Sequence, residues 1–193
     1  FSEKLIENDD TLSDDEKDLC LRYHRDGYVV VDLGLDDKFC NELVESLNAC
    51  PKGSYFYNPQ TIRYFEAWKH SKQVRAVAAH KKVMDTLKLL YRRDPIPFQT
   101  INFITASEQD VHSDTLHFHT VPNNWMCGVW VAFEDMDEDN GTLQYVRGSQ
   151  KLPILEFHKL NMDPPKYEHN AGGEEQEKYD TYEEYVKALI EAS

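Results

Sequence analysis

The decapeptide VHSDTLHFHT, residues 111–120, gathers three histidines and one aspartate, side chains that readily ligate metals. Along an extended strand, side chains at i and i+2 project from one face, so His112 and Asp114 reach one ion while Ser113 points away. A nitrogen and an oxygen ligand side by side, joined by one more histidine, make the facial triad of non-haem iron(II) oxygenases, whose open positions take an oxo acid and dioxygen. The same spacing makes His117 and His119 a second pair. They read either as strand-end or loop residues bonded to backbone carbonyls, or as groups facing a substrate beside the metal. A closed structural site using all four ligands is the competing arrangement, although strand geometry splays the two pairs and such zinc sites usually recruit cysteines.

The elements that must position this cluster divide the chain by period. SDDEKDLCLRYHRDG, residues 13–27, reads as a helix, opened by a capping box of Ser13 and Glu16 and stopped by Gly27. YVVVDLG follows as a short β-branched strand. Asp36 or Asp37 caps a second helix on which Phe39, Cys40, Leu43, Val44 and Leu47 recur at core spacing until Pro51. Residues 51–66 read as an irregular aromatic loop with Tyr55, Phe56, Tyr57, Tyr64 and Phe65. Ser71 opens a short helix, and a second helical stretch carries Val83, Met84, Leu87 and Leu90 up to the Pro95–Pro97 break. From Phe98 the pattern alternates: FQTINFIT, GVWVAFEDM and TLQYV read as strands, the last two joined by a hairpin turn at Asp139-Asn140-Gly141. The chain then turns polar and ends in a helical YDTYEEYVKALIEA. Helices first and antiparallel strands later predict an α+β fold. The expected organisation is one domain over 1–193, with a helical part at about 1–95, a β core at about 96–155, and an insert and helix at about 156–193.

The order of motifs carries more information than His-x-Asp alone. Residues 99–153, QTINFITASEQDVHSDTLHFHTVPNNWMCGVWVAFEDMDEDNGTLQYVRGSQKLP, resemble the phytanoyl-CoA dioxygenase family of iron(II)- and 2-oxoglutarate-dependent oxygenases, and YHRDGYVVVD at 23–32 resembles an opening pattern of many members. In that family a strand leads into His-x-Asp, a Trp-x-Ala strand ending in acidic residues follows, and then an Asn-Gly hairpin and a Gly-Ser corner. The resemblance implies a double-stranded β-helix, or jelly-roll, core. It implies that His112 and Asp114 are the first two iron ligands and that Trp130 lines the cosubstrate pocket. Arg63 is matched to a basic residue that helps hold 2-oxoglutarate, and Gln99 and Asn102 lie on the strand before the motif, where they can face the pocket. The implied activity is hydroxylation of a small organic substrate, with 2-oxoglutarate oxidised to succinate. Iron(II) and 2-oxoglutarate are the implied cofactors, and dioxygen and a small molecule the implied partners.

Two departures from the family pattern stand out. Arg147-Gly148-Ser149-Gln150 replaces a Pro-Gly-Ser-His corner whose histidine is not usually a ligand. The family's distal histidine and its 2-oxoglutarate arginine lie in late strands, whereas Arg147 is the last arginine here and His158 and His169 stand in contexts that position a ligand poorly. Closing a barrel takes roughly eight strands, and only about five can be counted. The sequence therefore reads as an N-terminal fragment of the family domain that has lost its final strands, and Phe1 rather than Met at the start is a separate hint that residues are missing.

Composition narrows the partners. A formal charge of −14, with acidic runs at 7–10, 14–16, 134–139 and 174–177, repels phosphate backbones and anionic headgroups, so neither nucleic acid nor membrane is expected as a partner. It also disfavours a highly anionic CoA ester as substrate. No apolar run approaches the roughly 18 residues of a membrane span, and the first residues lack a signal pattern, so a soluble cytoplasmic protein is expected. Cys20, Cys40, Cys50 and Cys127 lack C-x-x-C spacing and read as free thiols. Two other functions fit the same residues: a metal-stabilised structural module using 112–119, or a catalytically inactive family member acting as a binding scaffold.

Overall fold

The computed structural model describes residues 2–51, 57–58, 63–104, 109, 111–114, 118, 120, 125–154 and 174–192. The chain divides into two compact units, one of Phe1–Glu108 with Val129–Tyr145, the other of Gln109–Gly128 with Val146–Ser193.

The first unit begins with α1 (Glu3–Glu7) and α2 (Asp14–Asp26). Ser13 and Glu16 form the expected capping box: the Ser13 hydroxyl accepts from the Glu16 amide, and the Ser13 amide donates to the Glu16 carboxylate at 2.8 Å. Gly27, at φ 85°, ends α2 in the left-handed conformation that costs glycine nothing, and its N–H donates to the Tyr23 carbonyl at 2.9 Å. α3 (Asp37–Asn48) is capped by Asp36, whose side chain accepts from the Phe39 amide at 2.7 Å. α4 (Lys72–Ala78) opens on the buried hydroxyl of Ser71, and α5 (Lys81–Tyr91) follows directly. α5 stops before the prolines because Arg92 turns left-handed at φ 54°, and its guanidinium pairs with Asp9 at 2.6 Å. The hydroxyls of Tyr23 and Tyr91, 3.1 Å apart, join α2 to α5.

A three-stranded antiparallel sheet lies beside these helices: β1 (Tyr57–Asn58), β2 (Arg63–Phe65) and β3 (Ile101–Phe103), in that order. Two of its strands come from the segment read as an aromatic loop; Tyr55 and Phe56 lie outside the described residues. Register fixes the faces, with Tyr64 opposite Asn102 and Arg63 opposite Phe103. Tyr64, 2% exposed, points into a core with Leu43, Leu47, Cys50, Ala67, Val74 and Val77. Of the apolar stripe expected of α3, Leu43 and Leu47 are buried and Phe39 packs against the core, while Cys40 is half-buried and Val44 is exposed.

Three predicted strands carry no ladder among the described residues. In 28–34 the burial alternates as a strand's would, with Val29, Val31 and Leu33 half-buried and Val30 84% exposed, but no partner strand pairs with it. In 128–136, Val131 and Phe133 pack against the core from an irregular segment. The turn at 138–141 forms, its Asn140 amide donating to the Asp135 carbonyl at 2.6 Å, yet 142–146 does not pair back as a hairpin. Alternation sets which side chains face inward; a ladder also needs a second strand brought from elsewhere in the chain. The described residues are thus α+β, and their ladders form the small sheet without closing into a jelly roll.

In the second unit, Gly148 at φ 84° leads into a single 3-10 turn over Ser149–Lys151, the Gly-Ser corner of the sequence. α6 (Glu174–Glu191) buries Tyr182 and Val186, one turn apart on one face. Cys20 and Cys50 are buried thiols, Cys40 and Cys127 are half-buried, and none of the four is in a disulfide.

Candidate functional site

His112 and Asp114 lie in the second unit, and the structure brings their side chains together: Nε2 and Oδ1 are 3.5 Å apart. The route to that approach differs from the expected one. Residues 112–114 belong to no strand, and the chain turns at Asp114, whose carbonyl accepts the Phe118 amide at 2.8 Å. The i, i+2 spacing therefore works outside a strand. His112 is sheltered, its side chain 20% exposed, whereas the Asp114 side chain is 65% exposed. Gly128 approaches the carboxylate closely enough that a Cβ there would meet Asp114 Oδ2 at 3.8 Å, ordinary contact distance.

This geometry can be tested against a shared metal ion. Two ligand atoms each about 2.1 Å from one ion, and 3.5 Å from each other, subtend about 110° at it. A modest closing of the pair gives the right-angled neighbours of an octahedral site, so a nitrogen and a carboxylate oxygen fit as two ligands of a hard-to-borderline divalent metal. Among the described residues no group of three His, Cys, Asp or Glu side chains converges. His117, His119, His158 and His169 lie outside the described residues.

Arg63, Gln99, Asn102 and Trp130 belong to the first unit. Arg63 and Asn102 sit on adjacent strands but on opposite faces. Asn102 pairs with Tyr64 on the core side, where its Oδ1 is buried and takes no hydrogen bond among the described residues. Arg63 pairs with Phe103 on the other side, its guanidinium carbon 4.9 Å from the ring centroid. Burial pushes the Arg63 pKa down, because a desolvated cation loses hydration; the group remains a cation at any ordinary pH. Gln99 is half-buried just before β3, and Trp130 is half-exposed beside Val131, which packs on the core.

Sequence reasoning missed Phe103 and Glu66. Phe103 becomes visible only through the β2–β3 register. Glu66 ends β2 at φ 58°, a left-handed conformation unusual for its type, and its carboxylate accepts from Trp68 Nε1 at 3.1 Å and pairs with Lys69 Nζ at 3.0 Å. An open depression of about 500 Å³, lined by Ser46, Cys50, His70 and Lys72 among others, contains none of the predicted site residues.

The close His-x-Asp pair is followed along the chain by a Trp-bearing segment, an Asn-Gly turn and a Gly-Ser corner. The family model described as phytanoyl-CoA dioxygenase matches residues 23–192, and the chain belongs to that family, one of dioxygenase-type enzymes. No curated protein and no solved structure matches it. Among the described residues no helix is long and apolar enough to cross a membrane.

Proposed function

We propose that this chain is an iron(II)- and 2-oxoglutarate-dependent dioxygenase that hydroxylates a small organic substrate, built as one oxygenase domain around a double-stranded β-helix core. The observation that carries the reading is the 3.5 Å approach of His112 Nε2 to Asp114 Oδ1 within the segment covered by the family match. His112 and Asp114 would hold the metal with one further ligand. Bound iron(II) and 2-oxoglutarate supply the oxidising chemistry, one atom of dioxygen entering succinate as carbon dioxide leaves and the other entering the substrate hydroxyl.

The remaining roles fall to this chain's own side chains. A neutral His112 ligates through a ring nitrogen and an ionised Asp114 offsets part of the metal's charge, so the pair favours a divalent cation over a neutral guest. Arg63 would help hold 2-oxoglutarate, its planar guanidinium offering a carboxylate a fork that a lysine could not match in geometry. Trp130 supplies an apolar face that excludes water from the cosubstrate. Gln99 would supply a neutral hydrogen-bonding group that orients bound ligands without adding charge, whereas Asn102 lies on the sheet face opposite Arg63 and does not share a carboxylate subsite with it. The charge of −14 favours neutral or cationic substrates over nucleic acid, anionic membrane or CoA esters, and a cytoplasmic setting is part of the same reading.

The test is spectroscopic. Anaerobic addition of iron(II) and 2-oxoglutarate should produce a weak visible charge-transfer band, and His112→Ala should abolish it. A band that persists in that variant refutes the assignment of His112.

A further inference from the structure

The face of the β2–β3 pair that carries Arg63 is built differently from the core face. Tyr64, opposite Asn102, anchors the pair in the core, while Arg63 and Phe103 face each other across the ladder on the other side, with Phe65 and Ile101 as the neighbouring cross-strand pair. Phe103 is 43% exposed and carries the Arg63 guanidinium 4.9 Å from its ring centroid. A guanidinium laid over a ring uses its flat face for the stack and keeps its N–H groups in the plane, at the edge, where a carboxylate docks. The pair is also preorganised: a cross-strand neighbour held by backbone register does not have to find the arginine on binding.

We infer that Phe103 is a positioning residue whose ring holds the Arg63 guanidinium in the orientation that receives a carboxylate, that of 2-oxoglutarate. The inference rests on the reading of Arg63 given above. Phe103 acts through Arg63 and makes no bond to the cosubstrate itself. Partial burial of Arg63 acts in the same direction, since a cation already stripped of some water forms a stronger bond to an incoming carboxylate. A ring that served only to stabilise the sheet would affect melting and leave cosubstrate affinity alone.

The experiment is calorimetric titration of 2-oxoglutarate into the full chain loaded with manganese(II), with the melting temperature of each variant recorded alongside. Phe103→Leu should raise the Kd for 2-oxoglutarate about 3- to 10-fold, the size of a lost partly desolvated stack. Phe103→Tyr, which keeps a ring, should stay within about twofold. Arg63→Met should raise Kd by about 10-fold or more, and adding Phe103→Leu to it should change nothing further. If Phe103→Leu lowers the melting temperature but leaves Kd unchanged while Arg63→Met still weakens binding, the positioning role is overturned and the reading of Arg63 stands. If Arg63→Met binds as tightly as the unaltered protein, that reading fails and the inference with it. Should Phe103→Leu not fold, Phe103→Met keeps the volume without the ring and carries the same test.

Discussion

Metal affinity offers the sharpest test of the pairing of His112 with Asp114. Without metal, their 3.5 Å contact joins a sheltered imidazole to a carboxylate whose side chain is 65% exposed. Such a pair contributes about 0–1 kcal/mol, so His112→Ala or Asp114→Ala should move the metal-free melting temperature by no more than about 4 °C. Metal changes the scale. An ion present at about 100 times its Kd stabilises the folded state by about 2.7 kcal/mol, an upward shift on the order of 5–10 °C for a chain of this size. If both side chains hold one ion, each single alanine substitution removes most of that shift. The double substitution then costs less than the sum of the two, by about 1–3 kcal/mol of coupling. Anaerobic titration with iron(II) or manganese(II), run on the unaltered chain, both single variants and the double variant, measures all four corners of the cycle. Losses that simply add, or a single variant that keeps the full metal-induced shift, would show that the two residues do not share an ion.

Two further predictions concern the scaffold. Leu43 is fully buried at the centre of the core that anchors Tyr64, so Leu43→Ala should cost about 2–5 kcal/mol in urea denaturation; a loss under about 1 kcal/mol would contradict that placement. The Glu16 carboxylate is held below its ordinary range, first by the backbone N–H and then by the hydroxyl of Ser13. A carboxylate with a depressed folded-state pKa adds stability that is complete above its unfolded pKa and is lost as the pH falls through the folded one. Melting curves taken from about pH 6 down to about pH 2 should therefore fall less steeply for Glu16→Gln than for the unaltered chain, and identical slopes would remove the capping carboxylate from the account.

What was legible in the sequence follows the range of the forces involved. The Ser13–Glu16 box, the left-handed stop at Gly27, the Asp36 and Ser71 caps and the Leu43–Leu47 stripe all appear where the sequence places them. Each depends on groups within about one helical turn, so the sequence around it holds the whole signal. The sheet behaves in the opposite way. Residues 28–34 alternate in burial throughout and 128–136 alternate around Val131 and Phe133, but neither has a partner strand among the described residues, whereas Arg63–Phe65, read as loop, becomes the central strand because Ile101–Phe103 lies alongside. Partner choice is a property of the whole chain, and alternation alone cannot supply it.

The same distinction applies to the site. His112 and Asp114 approach each other because they are two residues apart, and that holds although residues 112–114 form no strand. A contact between near neighbours in sequence tolerates an error in the backbone assigned to it. Arg63 and Asn102 are a different case: their faces are decided by a register between strands about forty residues apart, and one residue of slip would exchange them. That register sets Arg63 over Phe103 and sends Asn102 to the core side. Any carboxylate subsite built on this sheet is therefore specified by strand pairing, whereas the proposed metal pair is specified by a local motif. Substitutions that loosen the β2–β3 pairing should consequently weaken cosubstrate affinity before they weaken metal affinity.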